Sequence, residues 1–82
     1  MDKALVFNRE KYDYDILSKY RFKKIPEGYY RRYNKDKTGC IEINPFNNGI
    51  LLITNESVFS PALLKVFYDL VKEEIIIYGD LL

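Results

Sequence analysis

The sequence predicts a small single α+β domain over residues 1–82, with a three-stranded antiparallel meander packed against two helices in the order α-β-β-β-α. A length of 82 residues is enough for one hydrophobic core and leaves no room for a second. Strand-like segments separated by turn signals occupy the middle of the chain, and segments with helical spacing lie on either side. Short terminal strands are compatible with this plan.

The three predicted strands lie between residues 29 and 54. Residues 29–33 are rich in aromatic side chains, as strands often are, and residues 35–39 form the turn that follows. Residues 40–44 alternate with period two, so we expect Ile41 and Ile43 to face the core and Glu42 to face solvent. The Asn-Gly pair before residue 50 favours a hairpin turn, after which residues 50–54 return as the third strand.

Two helices are predicted beside this meander. Residues 13–20 carry apolar side chains at helical spacing, and Asp13 or Asp15 is suited to cap the helix start. Ser60 and Pro61 predict the start of the second helix, with the serine as N-cap and the proline at the first helical position. The predicted apolar stripe of the second helix comprises Leu63, Leu64, Phe67, Leu70 and Val71.

The apolar runs at the two ends are short. Residues 5–7 fit a brief strand, and residues 75–78 fit either a fourth strand or an apolar tail. No run approaches the ~18 residues of a membrane span, and the first apolar stretch is too short for a signal peptide. We therefore expect a cytoplasmic protein without membrane association, and the lone cysteine agrees because small secreted domains usually pair theirs. The apolar C-terminal end leaves a homodimer possible.

Side chains that commonly perform catalysis are scarce. The chain has no histidine, which removes the usual general base and every His-based nucleophile or zinc arrangement. Cys40 has no such base and lies in a predicted strand, which favours a structural thiol. Asp13 and Asp15 could hold a metal or act as acid and base, but capping also explains them. The four glycines are spread singly at turns, so no phosphate loop is indicated, and we expect no enzyme, metal or cofactor.

Charge is distributed unevenly along the chain. Eight of the thirteen basic residues lie between Lys19 and Lys37, where Glu27 and Asp36 are the only acids. The later part of the chain is acidic instead, with Glu42, Glu56, Asp69, Glu73, Glu74 and Asp80 against Lys65 and Lys72. A dipolar molecule of this kind suggests a charged partner for the basic segment, with the acidic helix side as a second candidate surface.

Tyrosines are interleaved with the cations of the basic segment. This mixture is typical of single-stranded nucleic-acid sites and also of protein interfaces. Strand alternation places Tyr29, Arg31 and Tyr33 on one face and Tyr30 and Arg32 on the other, so one set should pack beneath a helix. A solvated hairpin with tyrosines covering the core is the third interpretation. The candidate partner-binding residues are Arg21, Lys23, Lys24, Tyr29, Tyr30, Arg31, Arg32, Tyr33, Lys35 and Lys37.

The order of these segments also carries a resemblance. Residues 14–24, the tyrosines at 29–33, the strand Ile41-Glu42-Ile43-Asn44 and the helix at 63–71 with its following isoleucines resemble small uncharacterised proteins of phages and mobile elements of low-GC Gram-positive bacteria. That resemblance implies a stoichiometric inhibitor or adaptor, such as an anti-CRISPR protein, that binds a host or defence protein. A nucleic-acid-binding module is the alternative, and a histidine-free enzyme is the least favoured hypothesis.

Overall fold

A computed structural model describes residues 3–54 and 61–82. Its elements are β1 (Lys3–Phe7), a 3₁₀ helix (Tyr14–Tyr20), β2 (Lys23–Lys24), β3 (Tyr30–Tyr33), β4 (Gly39–Ile43), β5 (Ile50–Thr54), α1 (Pro61–Lys72) and β6 (Ile76–Asp80). The predicted class is confirmed: this is a small α+β fold with two helices and antiparallel sheets.

The strands form two sheets instead of the one expected. β2, β3, β4 and β5 make a four-stranded antiparallel sheet in that order, whereas β1 and β6 pair with each other as a two-stranded ribbon. The extra strand β2 is only two residues long. Both terminal strands are present, and they pair with each other although they lie at opposite ends of the described chain.

The ribbon is attached to the larger sheet beside the β4–β5 loop. Val6 forms a single bridge with Gly49, and the backbone N–H of Phe7 donates to the carbonyl of Asn48 at 2.8 Å. Asn48 has a φ of 62°, a left-handed value that asparagine tolerates better than most residues. The Asn-Gly signal for a hairpin between β4 and β5 is therefore confirmed.

The core lies between one face of the larger sheet, the two helices and the ribbon. Leu63 and Leu70 are the buried residues of α1 and lie two turns apart, with Val66 and Phe67 partly buried beside them. Leu64 and Val71 were predicted in the same stripe, but they are 47% and 43% exposed. Each lies about 100° around the helix from a buried leucine, because an α-helix turns by that angle per residue. The cluster of buried core residues comprises Phe7, Leu17, Phe22, Ile41, Ile43, Leu63, Leu70, Ile75 and Ile76.

The predicted helix starts have different outcomes. Asp13 is the N-cap residue of the 3₁₀ helix, but its side chain makes no capping hydrogen bond, so that part of the prediction is wrong. Asp15 lies in the first turn, where a negative charge is favourable. Pro61 is the first residue of α1, as expected, while the predicted N-cap Ser60 lies outside the described residues.

Candidate binding cleft

The edge of β3 is only partly covered by β2. Lys23 is opposite Arg31 and Lys24 is opposite Tyr30, so β2 pairs with the first half of β3 only. Before Lys23 the chain turns away, because Arg21 adopts a left-handed conformation with a φ of 62° and its backbone N–H donates to the carbonyl of Ser18. Within the described part of the chain, the second half of β3 therefore borders a cleft instead of another strand.

A cleft of about 740 Å³ occupies this space. Its lining includes no acidic residue among those the structure describes. Ile25, Pro26 and Ala62 give it apolar surface, and the buried Leu63 borders it. The cations around it are Arg21, Lys23, Lys24, Arg31, Arg32, Lys35 and Lys37. We call this feature the basic cleft. It gathers seven of the eight basic residues of segment 19–37, and Lys19 is the one that does not line it.

Arg31 is held in place by two neighbours. Its Nε donates to Oε2 of Glu42 at 2.7 Å, and its Nη1 donates to the hydroxyl of Tyr33 at 3.0 Å. Both hydrogen bonds raise the pKa of Arg31, the bond to the Tyr33 oxygen more than the bond to Glu42, so the guanidinium stays charged. The remaining N–H groups of Arg31 are available to a ligand in a fixed orientation, which suits a carboxylate or a phosphate.

Glu42 was expected to face solvent, and this prediction is wrong. The residue is only 8% exposed, although it does lie on the sheet face opposite Ile41 and Ile43. Arg31 is its cross-strand neighbour on one side and Leu51 on the other. The burial is tolerated because the carboxylate forms an ion pair with Arg31.

Arg32 points to the other face of β3 and is anchored separately. Its Nη1 donates to the backbone carbonyl of Tyr20 at 2.9 Å, at the end of the 3₁₀ helix. This bond satisfies a carbonyl that the short helix leaves without an internal partner. The two adjacent arginines are thus fixed on opposite sides of one strand, and both reach the basic cleft.

The other cations of the cleft are exposed and carry no ion pair among the described residues. Ion pairs elsewhere join Lys3 to Asp80, Lys11 to Glu74 and Lys65 to Asp69. Asp36 is close in sequence to Lys35 and Lys37, but its carboxylate accepts from the hydroxyl and backbone N–H of Thr38. Those bonds lower the pKa of Asp36 and keep its carboxylate within the turn between β3 and β4.

The acidic side of the molecule is neutralised to a greater extent. Asp69, Glu74 and Asp80 each have a lysine partner, and Glu42 has Arg31. Glu56 lies outside the described residues. The two candidate surfaces therefore differ: the acidic groups are largely paired internally, whereas most of the basic groups in the cleft are available to a partner.

Two predicted binding tyrosines are packed away from the cleft. Tyr30 stacks on Tyr14 with ring centroids 5.2 Å apart, and Tyr14 stacks on Phe7 at 4.6 Å. We call these three rings the aromatic column. The hydroxyl of Tyr14 donates to the Oδ1 of Asn48, while Tyr29 makes an edge contact with Phe46. Tyr33 is the tyrosine that lines the cleft.

Comparison with family models, curated proteins and solved structures finds no match to this chain. The described helices include none long and apolar enough to cross a membrane. No group of three or more potential metal ligands occurs within the described ranges. The chemistry of the basic cleft is therefore the principal guide to function.

Sequence reasoning identified eight residues of the cleft but missed its apolar lining. Ala62 and Leu63 come from the start of α1, and only the packing of that helix brings them opposite β3. The pairing of Arg31 with Glu42 was not predictable from the turn at 35–39, because counting outward from that turn places Arg32 opposite Glu42. The observed hairpin closes at Asn34 and Gly39, which shifts the register by one residue.

Proposed function

We propose that this protein is a non-catalytic binding protein that holds an acidic segment of another protein in its basic cleft. The observation that carries the proposal is the collection of seven cations, without a carboxylate in the described lining, around one concave space. Fixed positive charge in a concavity raises the local concentration of anionic partners and accelerates their association.

The apolar part of the cleft favours a protein over a nucleic acid. Ile25, Pro26 and Ala62 would contact the apolar side chains of a peptide, whereas a phosphate backbone offers them nothing. Non-specific nucleic-acid sites also need exposed rings for stacking. Tyr29 and Tyr30 are occupied by other aromatic rings, and the hydroxyl of Tyr33 is bonded to Arg31. A nucleic-acid-binding module is therefore the second candidate, supported by the cations and by one exposed ring, that of Tyr33.

The state of the single thiol supports a function without catalysis. Cys40 is 3% exposed within β4, and burial raises the pKa of its thiol above the ordinary value. A thiol of this kind is mostly protonated near neutral pH and is a weak nucleophile. Binding of a partner in a fixed ratio, as an inhibitor or adaptor does, requires no such group. The resemblance to phage and mobile-element proteins suggests a host or defence protein as that partner.

Matched charge reversals test the proposal. The double variant K23E/K35E alters two exposed lysines of the cleft, and K19E/K72E makes the same charge change at exposed lysines outside it. A partner captured with the unaltered protein is identified by mass spectrometry and then titrated against both variants. We expect at least ~10-fold weaker binding for the cleft variant, equivalent to about 1.4 kcal/mol, and little change for the control.

Two results would contradict this proposal. Equal binding by both double variants would remove the cleft from the interface. The second result is binding of labelled single-stranded DNA or RNA at low salt, in the absence of any protein partner. The affinity would fall steeply with added salt and would depend on Lys23 and Lys35. That outcome would favour the nucleic-acid-binding module. Circular dichroism of both variants checks that the fold is retained.

A further inference from the structure

The hydrogen-bond pattern of β3 shows which backbone groups face the basic cleft. The backbone N–H of Asn34 donates to the carbonyl of Gly39, and two residues earlier in the strand Arg32 pairs with Ile41. Residues of an antiparallel strand alternate between bonding to one neighbour and to the other. Asn34 and Arg32 therefore bond to β4, while Arg31 and Tyr33 direct their N–H and C=O groups away from β4.

Beyond Arg31, no strand among the described residues lies beside this outward edge. Arg31 has Lys23 of β2 as its partner, and continuing the same register would place Arg21 opposite Tyr33. The left-handed conformation of Arg21 and its bond to Ser18 prevent that pairing. Among the described residues, the backbone N–H and C=O of Tyr33 have no backbone partner, and Tyr33 lines the cleft.

We propose that the basic cleft is a β-augmentation site, in which an extended acidic segment of a partner protein pairs with the edge of β3 at Tyr33. The inference rests on the proposed function and adds how the segment is held. The added strand would take the place that β2 leaves empty, with its backbone bonded to Tyr33 and its side chains alternating between the two faces of the sheet.

The side chains around that position define the segment further. On one face lie Arg31, Lys23 and Tyr33, so acidic residues of the added strand belong there. On the other face, Arg32 shares its side of the sheet with Ile41, and the start of α1 contributes Ala62 and Leu63 to the cleft. The partner segment therefore alternates acidic with apolar residues. A nucleic acid has no backbone that can pair with a strand edge.

A synthetic peptide that alternates glutamate with valine is a suitable probe. Its control carries N-methyl groups on the backbone amides that would face β3, which leaves every side chain unchanged but removes the hydrogen-bond donors. A second control alternates lysine with valine. We expect the first peptide to bind, the N-methylated peptide to bind at least ~10-fold more weakly, and the lysine peptide not to bind.

Hydrogen exchange gives a readout at the backbone itself. When the glutamate peptide saturates the protein, we expect exchange of the Tyr33 amide to slow by at least ~10-fold, while the amide of exposed Lys19 is unaffected. The variant Y33P removes the backbone N–H of residue 33. The bonds between β3 and β4 are kept, because this N–H points away from β4 and proline is tolerated at a strand edge. Y33P should stay folded by circular dichroism and bind the peptide more weakly than Y33A, which loses the same side chain and its bond to Arg31 but keeps the N–H. If Y33P does not fold, the comparison of the methylated and unmethylated peptides on the unaltered protein still tests strand pairing.

The outcomes separate this inference from the proposed function. Equal affinity of the methylated and unmethylated peptides, with an unprotected Tyr33 amide, would overturn strand pairing while leaving side-chain binding of acidic segments intact. Failure of the glutamate peptide to bind would also overturn the inference, even if K23E/K35E still loses a protein partner. Binding of single-stranded DNA together with failure of the peptide would overturn both proposals.

Discussion

The basic cleft and the aromatic column both draw residues from the same stretch of sequence but receive different side chains from it. Cations and tyrosines are interleaved between residues 19 and 37, yet the cations collect around the cleft while Tyr30 joins Phe7 and Tyr14. Strand alternation alone does not explain the separation, because Tyr30 and Arg32 share a face of β3. Their positions along the strand do: Tyr30 lies beneath Tyr14, and Arg32 lies beside the end of the 3₁₀ helix.

The two regions therefore contribute in opposite directions to stability. The aromatic column buries rings against each other and links the ribbon, the 3₁₀ helix and the larger sheet. The basic cleft places like charges near one another, which opposes folding. Substitutions in the column should thus weaken the fold, and substitutions at exposed cations should weaken partner binding. The following predictions test this separation in order of decreasing effect on stability.

Replacing Tyr14 by alanine should destabilise the protein most. The variant Y14A loses stacking on Phe7 and Tyr30 and the hydrogen bond to Asn48, so we expect a loss of about 3 kcal/mol in the free energy of unfolding. Urea unfolding followed by circular dichroism measures it. Y29A is the control, because Tyr29 contacts only Phe46 among the rings and should lose about 1 kcal/mol. Similar losses for the two variants would show that the column is not a special source of stability.

Arg31 lines the basic cleft and also stabilises the fold, because it neutralises the buried carboxylate of Glu42. We expect R31M to lose about 2 kcal/mol in the free energy of unfolding, less than for a fully buried pair because 29% of the Arg31 side chain remains exposed. K23M is the matched control, since Lys23 lies directly opposite and has no ion pair among the described residues. Adding E42Q to R31M should recover part of the loss. A double variant no more stable than R31M would show that the charge of Glu42 is not the cause.

Lys37 offers the opposite case, in which removing a cleft residue should stabilise the fold. Its φ of 61° is unfavourable for a side chain with a Cβ, so we expect K37G to gain about 0.5–1 kcal/mol in the free energy of unfolding. K35G removes an equivalent charge at a residue without a positive φ and should not gain. Both variants should weaken partner binding similarly. Thermal unfolding and titration of the partner measure the two effects, and equal stability of the variants would show that the backbone at Lys37 is not strained.

Local patterns in the sequence were sufficient for most of the larger sheet. The alternation around Ile41 and Ile43, the turn at 35–39 and the Asn-Gly signal predicted β4 to within one residue and a turn on either side of it. They did not predict the register of the first hairpin, which is one residue tighter. The pairing of β1 with β6 was not predictable in this way, because it joins residues from opposite ends of the described chain. The clustering of cations was visible in the sequence, but the cleft itself depends on the left-handed backbone at Arg21, which no residue preference indicates.

The ribbon of β1 and β6 closes nearly the whole described chain into one loop. The entropy lost in closing a loop grows with its length, so this pairing costs more chain entropy than either hairpin of the larger sheet. Five paired residues with one bridge to the larger sheet contribute little against that cost. The compensation comes from Phe7 and Ile76 of the ribbon and from Ile75 just before β6, each of which is 1% exposed in the core. The two ends of the described chain are therefore held together mainly by what their strands bury.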